Sequence, residues 1–440
     1  MNSKLNSVKI GILGFGVVGS GTWEVLTRNA QEIARRAGRH MEIVRIATRT
    51  PSKVPSHIRD TIKVDNDLHA LVNDPEIDIV VELIGGTDLA KTLILQAIQN
   101  HKHVVTANKA LLAMHGKEIF TLASQNNIMV NFEAAVAGGI PIIKAMREGL
   151  SANRIQWVAG IINGTTNFIL SQMREHKLPF QEVLKQAQAL GYAEADPTFD
   201  IEGVDAAHKL TLLAAIAFGI NIQFDKVYIE GITQLETHDV AYAARLGYRT
   251  KLLGIAKRQD KGIELRVHPT LVPERKLLAS VEQVMNAVVV KGDAVGETLY
   301  YGPGAGAEPT ASAVVADIVD VTRMMTADAD NRVPHLAFQP EALADYPILD
   351  MSDTISAYYL RMQVVDQPGV LADITRILAQ RHISIDSMVQ EPKEASQSSA
   401  NIIFLTHEAR EGDVDEALAQ IQNLPYLQSK IVRLRLENFQ

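Results

Sequence analysis

The segment from Val8 to Ala47 has an order of elements that few folds accommodate. Val8–Leu13 is a short apolar run with the pattern of a buried strand, and it leads directly into Gly14-Phe15-Gly16-Val17-Val18-Gly19. The following residues have a helical pattern to about Ala37, and Met41–Ala47 has the pattern of a second buried strand. Strand, G-x-G-x-x-G, helix and strand in this order form a dinucleotide-binding unit. The sequence therefore predicts an α/β chain that begins with a Rossmann-type domain.

Each glycine of this motif has a physical task. Gly14 permits the tight turn, Gly16 lets a pyrophosphate approach the backbone, and Gly19 allows the helix to pack closely on the strand. The free N–H groups and the positive dipole at the helix start then hold the phosphates. A glycine-rich turn without a ligand is the alternative, and the flanking strands favour the dinucleotide.

The end of the second strand bears on which dinucleotide is bound. An NAD enzyme usually has an acidic residue there for the ribose hydroxyls, whereas this chain has Thr48 and Arg49, with Lys53 nearby. A positive group suits the 2′-phosphate of NADP. We therefore predict NADP, with NAD possible, and an exposed loop arginine is the alternative.

The alternation of strands and helices continues to about residue 135. Asp78–Leu83, His103–Thr106 and Ile128–Phe132 have strand patterns, and a helix is predicted from about Asp88 to Asn100. Thr106 ends its strand, and Lys109 follows within three residues. Because the carboxyl ends of parallel strands line the ligand crevice, both residues are candidates for the site, although most lysines are simply solvated.

A loop of small residues follows the last of these strands, running from Glu133 to Pro141. Such a loop leaves many backbone carbonyl groups without strand or helix partners. Those carbonyls could cap a helix, bind water or coordinate a hard monovalent cation through oxygen ligands. The spacing alone does not favour the cation.

From Ala152 the pattern changes to that of an α+β domain with an antiparallel or mixed sheet covered by helices. A strand at Ile155–Ile162 precedes Asn163-Gly164-Thr165-Thr166-Asn167, which we predict as a turn rich in hydroxyl and amide groups. The further strand patterns are Lys226–Tyr228, Thr250–Ala256, Ile263–Pro269 and Asn286–Lys291. A second glycine-rich turn is predicted at Tyr300–Gly306, and it either is a flexible linker or brings Gly302 to the cofactor. The helix predicted after it, at Thr310–Met325, could cover the nucleotide domain.

The segment Ala187–Lys209 is the most unusual of the chain. It contains five carboxylates and one ammonium close together, namely Glu194, Asp196, Asp200, Glu202, Asp205 and Lys209, and the next residues to Ile220 are almost wholly apolar. Asp205 and Lys209 lie on one face of the predicted helix. A surface ion pair is the usual meaning of such spacing, but the apolar helix that follows favours a buried acidic pocket with a lysine in it.

The last part of the chain predicts a separate small domain. Residues 326–347 contain three prolines without clear periodicity and are predicted as a linker, after which the order βαββαβ, with a polar loop near 391–399, indicates a ferredoxin-like fold. Asp366-Gln367-Pro368-Gly369-Val370-Leu371 resembles the opening of an ACT domain, an amino-acid-sensing module. The resemblance implies that the backbone at Gly369 approaches the effector, and a dimerisation domain without a ligand is the alternative.

Composition excludes several classes of function. The chain has no cysteine, so disulfides, thiolate nucleophiles and zinc–thiolate sites are excluded. A net charge of -8 argues against a nucleic-acid-binding surface, and the longest apolar run is too short to cross a membrane. The amino terminus lacks the layout of a signal peptide. We expect a cytoplasmic protein without nucleic-acid or membrane partners.

The pattern A-x-x-x-G-Y-A-E-A-D-P-x-x-D-I-x-G-x-D-x-x-x-K, from Ala187 to Lys209, resembles the signature of homoserine dehydrogenases. GFGVVGSG, TANKALLA, FEAAVAGGIP, NGTTNFIL and YGPGAGAEPTASAVVAD follow in the family's order, so the resemblance covers the whole chain. Nothing similar to an aspartate kinase precedes Val8. The chain is therefore similar to the monofunctional form with a carboxyl-terminal ACT domain.

The resemblance implies an activity and a set of site residues. The family interconverts L-homoserine and L-aspartate 4-semialdehyde with NAD(P), a step towards threonine, methionine and isoleucine, and L-threonine is the implied effector. The implied acid/base is Lys209, with Asp205 orienting it and Lys109 as the second active-site lysine. The implied substrate residues are Glu194, Asp205, Asp200, Gly164 and Thr165, and the implied sodium ligands are Glu133, Val136, Gly138 and Ile140.

These expectations give a domain layout. A nucleotide-binding domain spans residues 1–135 and is completed by a helix at about 305–330. A catalytic and dimerisation domain spans 136–305, a linker 326–354, and the ACT domain 355–440. We expect the site in a cleft between the first two domains, in a homodimer or homotetramer. The alternative, a nucleotide-binding amino-acid sensor without turnover, predicts loss of the catalytic groups, yet Lys109 and Lys209 are present.

Overall fold

The computed structural model describes residues 7–392 and 399–439 and divides the chain into two compact units. The first unit comprises Met1–Gly164, Asp205–Val227 and Val284–Tyr346. The second comprises Thr165–Val204, Tyr228–Gln283 and Pro347–Gln440. Within the described residues, no helix is both long and apolar enough to cross a membrane.

The first unit contains the sheet predicted from the amino-terminal pattern. Its six strands are β1 (Val8–Leu13), β2 (Met41–Ala47), β3 (Lys63–Asp65), β4 (Ile79–Glu82), β5 (His103–Thr106) and β6 (Val130–Asn131). They pair in parallel in the order β3-β2-β1-β4-β5-β6. This is the strand order of a Rossmann fold, so the predicted fold class is confirmed. The carboxyl ends of β1 and β4, where the order reverses, form the expected ligand crevice.

Helices cover this sheet, and one prediction about them was wrong. The helices are Val17–Arg28, Ala30–Ala37, Ser56–Arg59, Leu68–Val72, Asp88–Gln99, Lys109–Gln125 and Ala307–Met324. A single helix was predicted up to Ala37, but the first one ends at Arg28, and the capping residue Asn29, at φ -105° and ψ 17°, has left the helical conformation. Asparagine is a common helix-ending residue because its side chain competes for backbone hydrogen bonds. The second helix ends at Gly38, in the left-handed conformation at φ +78°.

The Ala307–Met324 helix packs on the Rossmann sheet although it comes from much later in the chain. Its buried residues, including Val314 and Ile318, share one hydrophobic cluster with Ile10 and Ile12 of β1. A Cβ added at Gly21 would lie 2.7 Å from the carbonyl oxygen of Ala307, so this close approach requires a glycine.

Three antiparallel strands of the first unit correct the prediction of a turn at Tyr300–Gly306. The strand Met285–Gly292 pairs on one side with Ile155–Ile161 and on the other with Gly296–Pro303. Gly302 therefore belongs to a strand, opposite Asn286, and only residues 304–306 form the turn. The β-branched partner strand outweighs the local glycine signal.

The remainder of the first unit consists of short helices and the central buried helix. Ile142–Lys144 continues into a π-helical turn at Ala145–Gly149, and Val204–Phe218 is the predicted apolar helix. The segment after Met325 lacks a long helix or strand but is fixed in place: Arg332 donates to the carbonyl of Asn127, and the ring of Phe338 lies against Gly219.

The second unit begins with helices that the sequence only partly predicted. They are Gly164–His176, Phe180–Ala189, Thr198–Ile201 and Thr237–Arg245. The predicted turn at residues 163–167 was wrong, since a helix begins at Gly164. The amide of Asn167 donates to the carbonyls of Val281 and Gln283, and this tertiary contact overrides the local preference. The strand predicted at Lys226–Tyr228 is instead a 3-10 turn, Phe224–Lys226, followed by the strand Tyr228–Ile229.

The strands of the second unit include a long hairpin and the sheet of the terminal domain. Tyr248–Gln259 pairs with Gly262–Pro273. In the terminal domain Val432–Leu436 pairs with Ile355–Val365, which pairs with Ser399–Thr406, which pairs with Ile385–Pro392, all antiparallel. The helices Val370–Gln380 and Glu411–Gln422 complete the predicted ferredoxin-like order. Most of the polar loop at 391–399 lies outside the described residues.

Candidate active site

The buried carboxylate of Asp205 is the centre of the site. Its side chain is 5% exposed, and it contacts two ammonium groups. Oδ2 of Asp205 lies 2.6 Å from Nζ of Lys209, and Oδ1 lies 3.2 Å from Nζ of Lys109. The amide of Asn163 also donates to Oδ2, at 2.9 Å. One negative group therefore contacts two positive groups that the sequence predicts separately as site residues.

The two lysines reach this carboxylate from different elements. Lys209 lies one turn after Asp205 on the Val204–Phe218 helix, and its ammonium also donates to the carbonyl of Ile162 at 2.8 Å. Lys109 is the first residue of its helix, just beyond β5, as expected for a group at the crevice. The lysine side chains are 12% and 33% exposed, respectively, so both can reach a ligand.

Electrostatics keep the central carboxyl group ionised. Burial alone would raise the pKa of Asp205, but Lys209, Lys109 and Asn163 together hold that pKa well below its usual range. The neighbouring His208 is buried and packs on the ring of Phe224, with ring centroids 4.3 Å apart. Burial lowers the pKa of His208 to about 4, so its imidazole is neutral near neutral pH.

The glycine motif after β1 has the geometry that a dinucleotide requires. Gly14 has φ +92°, and a Cβ there would lie 2.7 Å from the carbonyl oxygen of Leu83. A Cβ at Gly19 would lie 2.5 Å from the carbonyl oxygen of Gly14. At Gly16, by contrast, an added Cβ would meet no described atom within 4 Å, so the backbone there faces open space. The turn, the close packing and the open approach thus fall on the three expected glycines, and the residues fit the group.

A cavity of about 620 Å³ adjoins this turn. Its lining includes Phe15, Gly16 and Val17 of the motif, together with Lys53 and His57 from the segment after β2. Thr48 and Arg49 are outside that lining; Thr48 donates its N–H to the carbonyl of Asp65, and Arg49 is exposed.

A polar network at the ends of β4 and β5 is not predicted from the sequence. Glu82 is fully buried, and its carboxylate accepts the hydroxyl hydrogen of Thr106 at 2.6 Å. The hydroxyl oxygen of Thr106 accepts the N–H of Asn108 at 3.0 Å. The candidate cofactor residue Thr106 thus has its hydroxyl turned into the protein. A single acidic residue at the end of an apolar strand does not by itself indicate a buried hydrogen-bond network, so the local sequence could not predict the contacts of Glu82.

The loop predicted to hold a cation has an unusual backbone. Ala137 and Gly138 both have positive φ, +55° and +51°, which is strained for alanine. Within the described residues, the carbonyl oxygens of Val136 and Gly138 receive no hydrogen bond, whereas the carbonyl of Ile140 accepts the N–H of Ile142. Unpaired carbonyls on a sharply turned loop fit a hard monovalent cation. In the described ranges, no group of three or more His, Asp or Glu side chains could hold a metal ion.

Side-chain contacts fix the start of this loop. The buried carboxylate of Glu133 accepts the N–H groups of Ile143 and Lys144, and its own N–H donates to Asp317 at 2.7 Å. Burial raises the pKa of Glu133. Burial also raises the pKa of Asp317, to about 8. The N–H of Gly139 donates to the carbonyl of Pro303, which joins the loop to the second glycine-rich segment.

The other predicted substrate residues lie mostly in the second compact unit. Glu194 is exposed, and the carbonyl of the same residue accepts the amide of Gln188. Asp200 lies in the short helix Thr198–Ile201 and is partly buried. The hydroxyl of Thr165 donates to the carbonyl of Tyr192 at 2.6 Å, which joins the predicted amide-rich segment to the acidic one.

Three glycines singled out from the sequence occupy distinct settings. A Cβ at Gly164 would lie 2.7 Å from the carbonyl of Val284, and one at Gly302 would lie 3.2 Å from the side chain of Ile140. Gly369 precedes the Val370–Gln380 helix with φ +95°, and an added Cβ there would meet no described atom within 4 Å. Its backbone is therefore accessible to a ligand.

The fold and this arrangement define a class of protein: a nicotinamide-nucleotide-dependent oxidoreductase with a carboxyl-terminal ACT domain. Three family models match the chain, described as "Homoserine dehydrogenase, NAD binding domain" over residues 14–133, "Homoserine dehydrogenase" over 141–319 and "ACT domain" over 358–426. The homoserine dehydrogenase of Pseudomonas aeruginosa is 59% identical over 433 residues, which cover 98% of this chain and 99% of the relative. The chain therefore belongs to the homoserine dehydrogenase family.

Solved structures are similar over the same length. The crystal structure of a homoserine dehydrogenase from Thiobacillus denitrificans is 61% identical, with a TM-score of 0.94, covering 98% of this chain and 99% of that one. A hyperthermophilic archaeal homoserine dehydrogenase in complex with NADPH is 28% identical, with a TM-score of 0.62, covering 72% of this chain and 98% of that one.

Proposed function

We propose that the protein interconverts L-homoserine and L-aspartate 4-semialdehyde, with Lys209 as the general acid and base. The observation that carries this proposal is the contact of one buried carboxylate, that of Asp205, with the ammonium groups of both Lys209 and Lys109. The nicotinamide supplies or accepts the hydride when it is bound. The protein's own task is to orient the substrate and to move one proton.

In the reducing direction, negative charge develops on the aldehyde oxygen. A positioned ammonium stabilises that charge and donates the proton, which contributes roughly two to four powers of ten in rate. Lys209 is the donor, since Asp205 and the carbonyl of Ile162 fix its ammonium from two directions. Lys109 adds a second positive charge. In the oxidising direction Lys209 must accept the proton as a neutral amine, so this direction gains from alkaline pH.

The substrate's own charged groups need partners. The ammonium of homoserine requires acceptors, and Glu194 supplies an exposed carboxylate for it. Asp200 supports that segment, and Gly164 and Thr165 are further contacts from the start of the helix after the strand Ile155–Ile161. Replacing Glu194 by Gln is expected to raise KM for homoserine selectively; an unchanged KM would remove Glu194 from this role.

The nucleotide is proposed to be NADP. Arg49 follows the second strand, Lys53 lines the cavity beside the glycine turn, and a family relative of known structure binds NADPH. Both cations suit a 2′-phosphate. The carbonyl oxygens of Val136 and Gly138, with those of Glu133 and Ile140, are the proposed ligands of Na⁺, which would brace the loop that begins at Glu133.

The ACT domain is proposed to mediate feedback by L-threonine through the accessible backbone at Gly369. ACT domains usually pair edge to edge, so we also propose a homodimer or homotetramer. The reaction would then be a regulated step towards threonine, methionine and isoleucine in the cytoplasm.

One absorbance assay tests the reaction. The protein is mixed with homoserine and either NADP or NAD, and formation of the reduced nicotinamide is followed. Homoserine-dependent reduction is expected, faster with NADP. No reduction with either nucleotide would overturn the proposal in favour of an amino-acid sensor without turnover. Adding L-threonine is expected to inhibit; no inhibition and no change in oligomeric state would leave the ACT domain structural.

A further inference from the structure

Glu82 is a fully buried carboxylate for which the proposed mechanism has no use. It lies at the carboxyl end of β4, at 0% exposure. Its Oε1 accepts the N–H groups of Ile84 at 2.9 Å and Gly85 at 3.1 Å, and its Oε2 accepts the hydroxyl of Thr106 at 2.6 Å. Burying a carboxyl group with no described cation in contact is unfavourable even when its oxygens accept hydrogen bonds. A role beyond packing is therefore indicated.

From Thr106 the hydrogen bonds continue to the active-site lysine. The hydroxyl oxygen of Thr106 accepts the N–H of Asn108 at 3.0 Å, and the side chain of Asn108 accepts the N–H of Leu111 at 3.1 Å. The second bond caps the helix that begins at Lys109, so the direction of the lysine side chain depends on this network. The ammonium of Lys109 then contacts Asp205 at 3.2 Å.

The other oxygen of the same carboxylate shapes a loop at the ligand crevice. Gly85 and Gly86 have φ +70° and +73°, and a Cβ added at either would meet no described atom within 4 Å, so the loop backbone faces open space. The amide of Asn108 holds the carbonyl of Gly86 at 2.7 Å. Leu83, which immediately precedes this loop in the sequence, lies against Gly14 of the glycine motif after β1. This is the place where a Rossmann fold receives the dinucleotide.

We propose that Glu82 is a positioning residue that sets two parts of the site at once: the 84–87 loop against the nicotinamide end of the dinucleotide, and Lys109 against Asp205. The inference rests on the proposed function, because it assigns Lys109 to the reaction. The two oxygens of Glu82 divide the task. Oε1 holds the loop, and Oε2 holds Thr106 and, through it, the start of the Lys109 helix.

This division allows the two tasks to be separated by substitution. In Glu82→Gln the amide oxygen still accepts the N–H groups of the loop, whereas the amide nitrogen cannot accept the hydroxyl hydrogen of Thr106 and can only donate to the hydroxyl oxygen, so a charge-assisted hydrogen bond is replaced by a weaker neutral one. Thr106→Val breaks the same bond from the other side. Both variants are expected to lower kcat by roughly 10- to 100-fold, the range expected when a reacting group is slightly misplaced, while the dissociation constant of NADPH stays within about threefold. Glu82→Ala loses both tasks and should also weaken NADPH binding by about tenfold or more.

A double-mutant cycle and two controls complete the experiment. Because both substitutions act on the same hydrogen bond, the loss in the double variant Glu82→Gln with Thr106→Val should be much smaller than the sum of the two single losses. Thr106→Ser keeps the hydroxyl and should restore wild-type kcat. Glu411→Gln alters an equally buried carboxyl group in the ACT domain and should lower the melting temperature without changing kcat or NADPH affinity.

Specific results would overturn the inference. If Glu82→Gln and Thr106→Val lower only the melting temperature, as the Glu411 control does, Glu82 is structural. Additive losses in the double variant would show that the two residues do not act through one bond. If the wild-type protein does not oxidise homoserine, the proposed function fails instead, and fluorescence titration of Glu82→Ala with NADPH then decides the loop role independently.

Discussion

Asp205 and Lys209 lie one helical turn apart, with Oδ2 and Nζ 2.6 Å apart and both side chains almost wholly removed from solvent. An exposed pair at this spacing contributes only about 0.3–0.5 kcal/mol. The carboxylate of Asp205, by contrast, is buried and also contacts Lys109 and Asn163. Removing one of these charged groups would leave another charge buried without its counter-charge, which is strongly destabilising. The same contacts hold the candidate proton donor in one orientation.

The first prediction concerns the proton donor. Lys209→Met keeps the length of the side chain but removes its charge and its proton, so kcat should fall by several powers of ten while the affinity for nucleotide stays nearly unchanged. Stopped-flow or steady-state kinetics with homoserine and fluorescence titration with NADPH measure the two quantities. Lys185→Met, at an exposed position of the Phe180–Ala189 helix, is the matched control. A Lys209 variant retaining more than roughly a tenth of wild-type kcat would exclude the lysine as the main acid/base.

The second prediction concerns the carboxylate between the two lysines. The pKa of Asp205 is held below its usual range in the folded protein, so its charge stabilises the fold above the unfolded pKa, about 3.9, and this stabilisation is lost as the pH falls below that value. Asp205→Asn leaves two ammonium groups unpaired and should lower stability near neutral pH by about 3–5 kcal/mol.

Thermal unfolding across the acid range tests this sign. The Asp205→Asn protein should unfold at a lower temperature than the wild type near neutral pH, and the two should converge as the solution is acidified. An equal melting temperature near neutral pH would contradict the prediction. Turnover should fall in parallel, since Lys209 and Lys109 lose their common partner.

The extent to which these features could be predicted follows from the range of the interactions involved. The Asp205–Lys209 contact is local, so helical spacing is sufficient to predict it. The Rossmann sheet can also be predicted from the sequence, because its strands are short apolar runs that are bounded by glycines. The contact of Lys109 with Asp205 and the burial of Glu82 depend on which strand ends lie close together in the folded chain. The local sequence pattern does not predict that arrangement. The segment at 163–167 has a turn composition, but contacts of Asn167 with distant carbonyls make it a helix start.

The third prediction is that His103, a buried histidine of the Rossmann sheet, makes the folded protein less stable in acid. His103 is 8% exposed, and its Nδ1 accepts the N–H of Met129 at 3.1 Å, which requires an unprotonated nitrogen. Burial, with a contribution from Arg332, lowers the pKa of His103 to about 4. The unfolded chain therefore binds the proton first, and stability should fall as the pH drops from about 6.5 to about 4, by about 3 kcal/mol for this residue.

His103→Gln separates this effect from general acid unfolding. The glutamine oxygen can still accept a backbone N–H, but it does not titrate, so the loss of stability across that pH range should become smaller. His176→Gln, at an exposed helix end, is the matched control for the same chemical change at the surface. If both variants retain the wild-type slope in urea unfolding series at several pH values, His103 is not responsible for it.

The last prediction concerns the anchor of the ACT domain within the second unit. Arg361 of the Ile355–Val365 strand donates from Nε to Asp239 at 2.6 Å and from Nη2 to the other oxygen at 3.0 Å, and Tyr359 also donates to Asp239. Asp239 is fully buried in the first turn of the Thr237–Arg245 helix, where a negative charge is favoured by the helix dipole. Removing one partner leaves the other charge buried, so Arg361→Met or Asp239→Leu alone should cost about 3–5 kcal/mol.

The two changes together should cost much less than their sum, because no unpaired charge remains in the double variant. Thermal unfolding of the four proteins in a double-mutant cycle measures this coupling. Each single variant should also lose the proposed inhibition by L-threonine while it keeps basal turnover, since the ACT strand would no longer be fixed to the helix. Additive losses in the cycle would show that the ion pair does not anchor the domain, and retained effector inhibition in both single variants would show that the anchor does not transmit regulation.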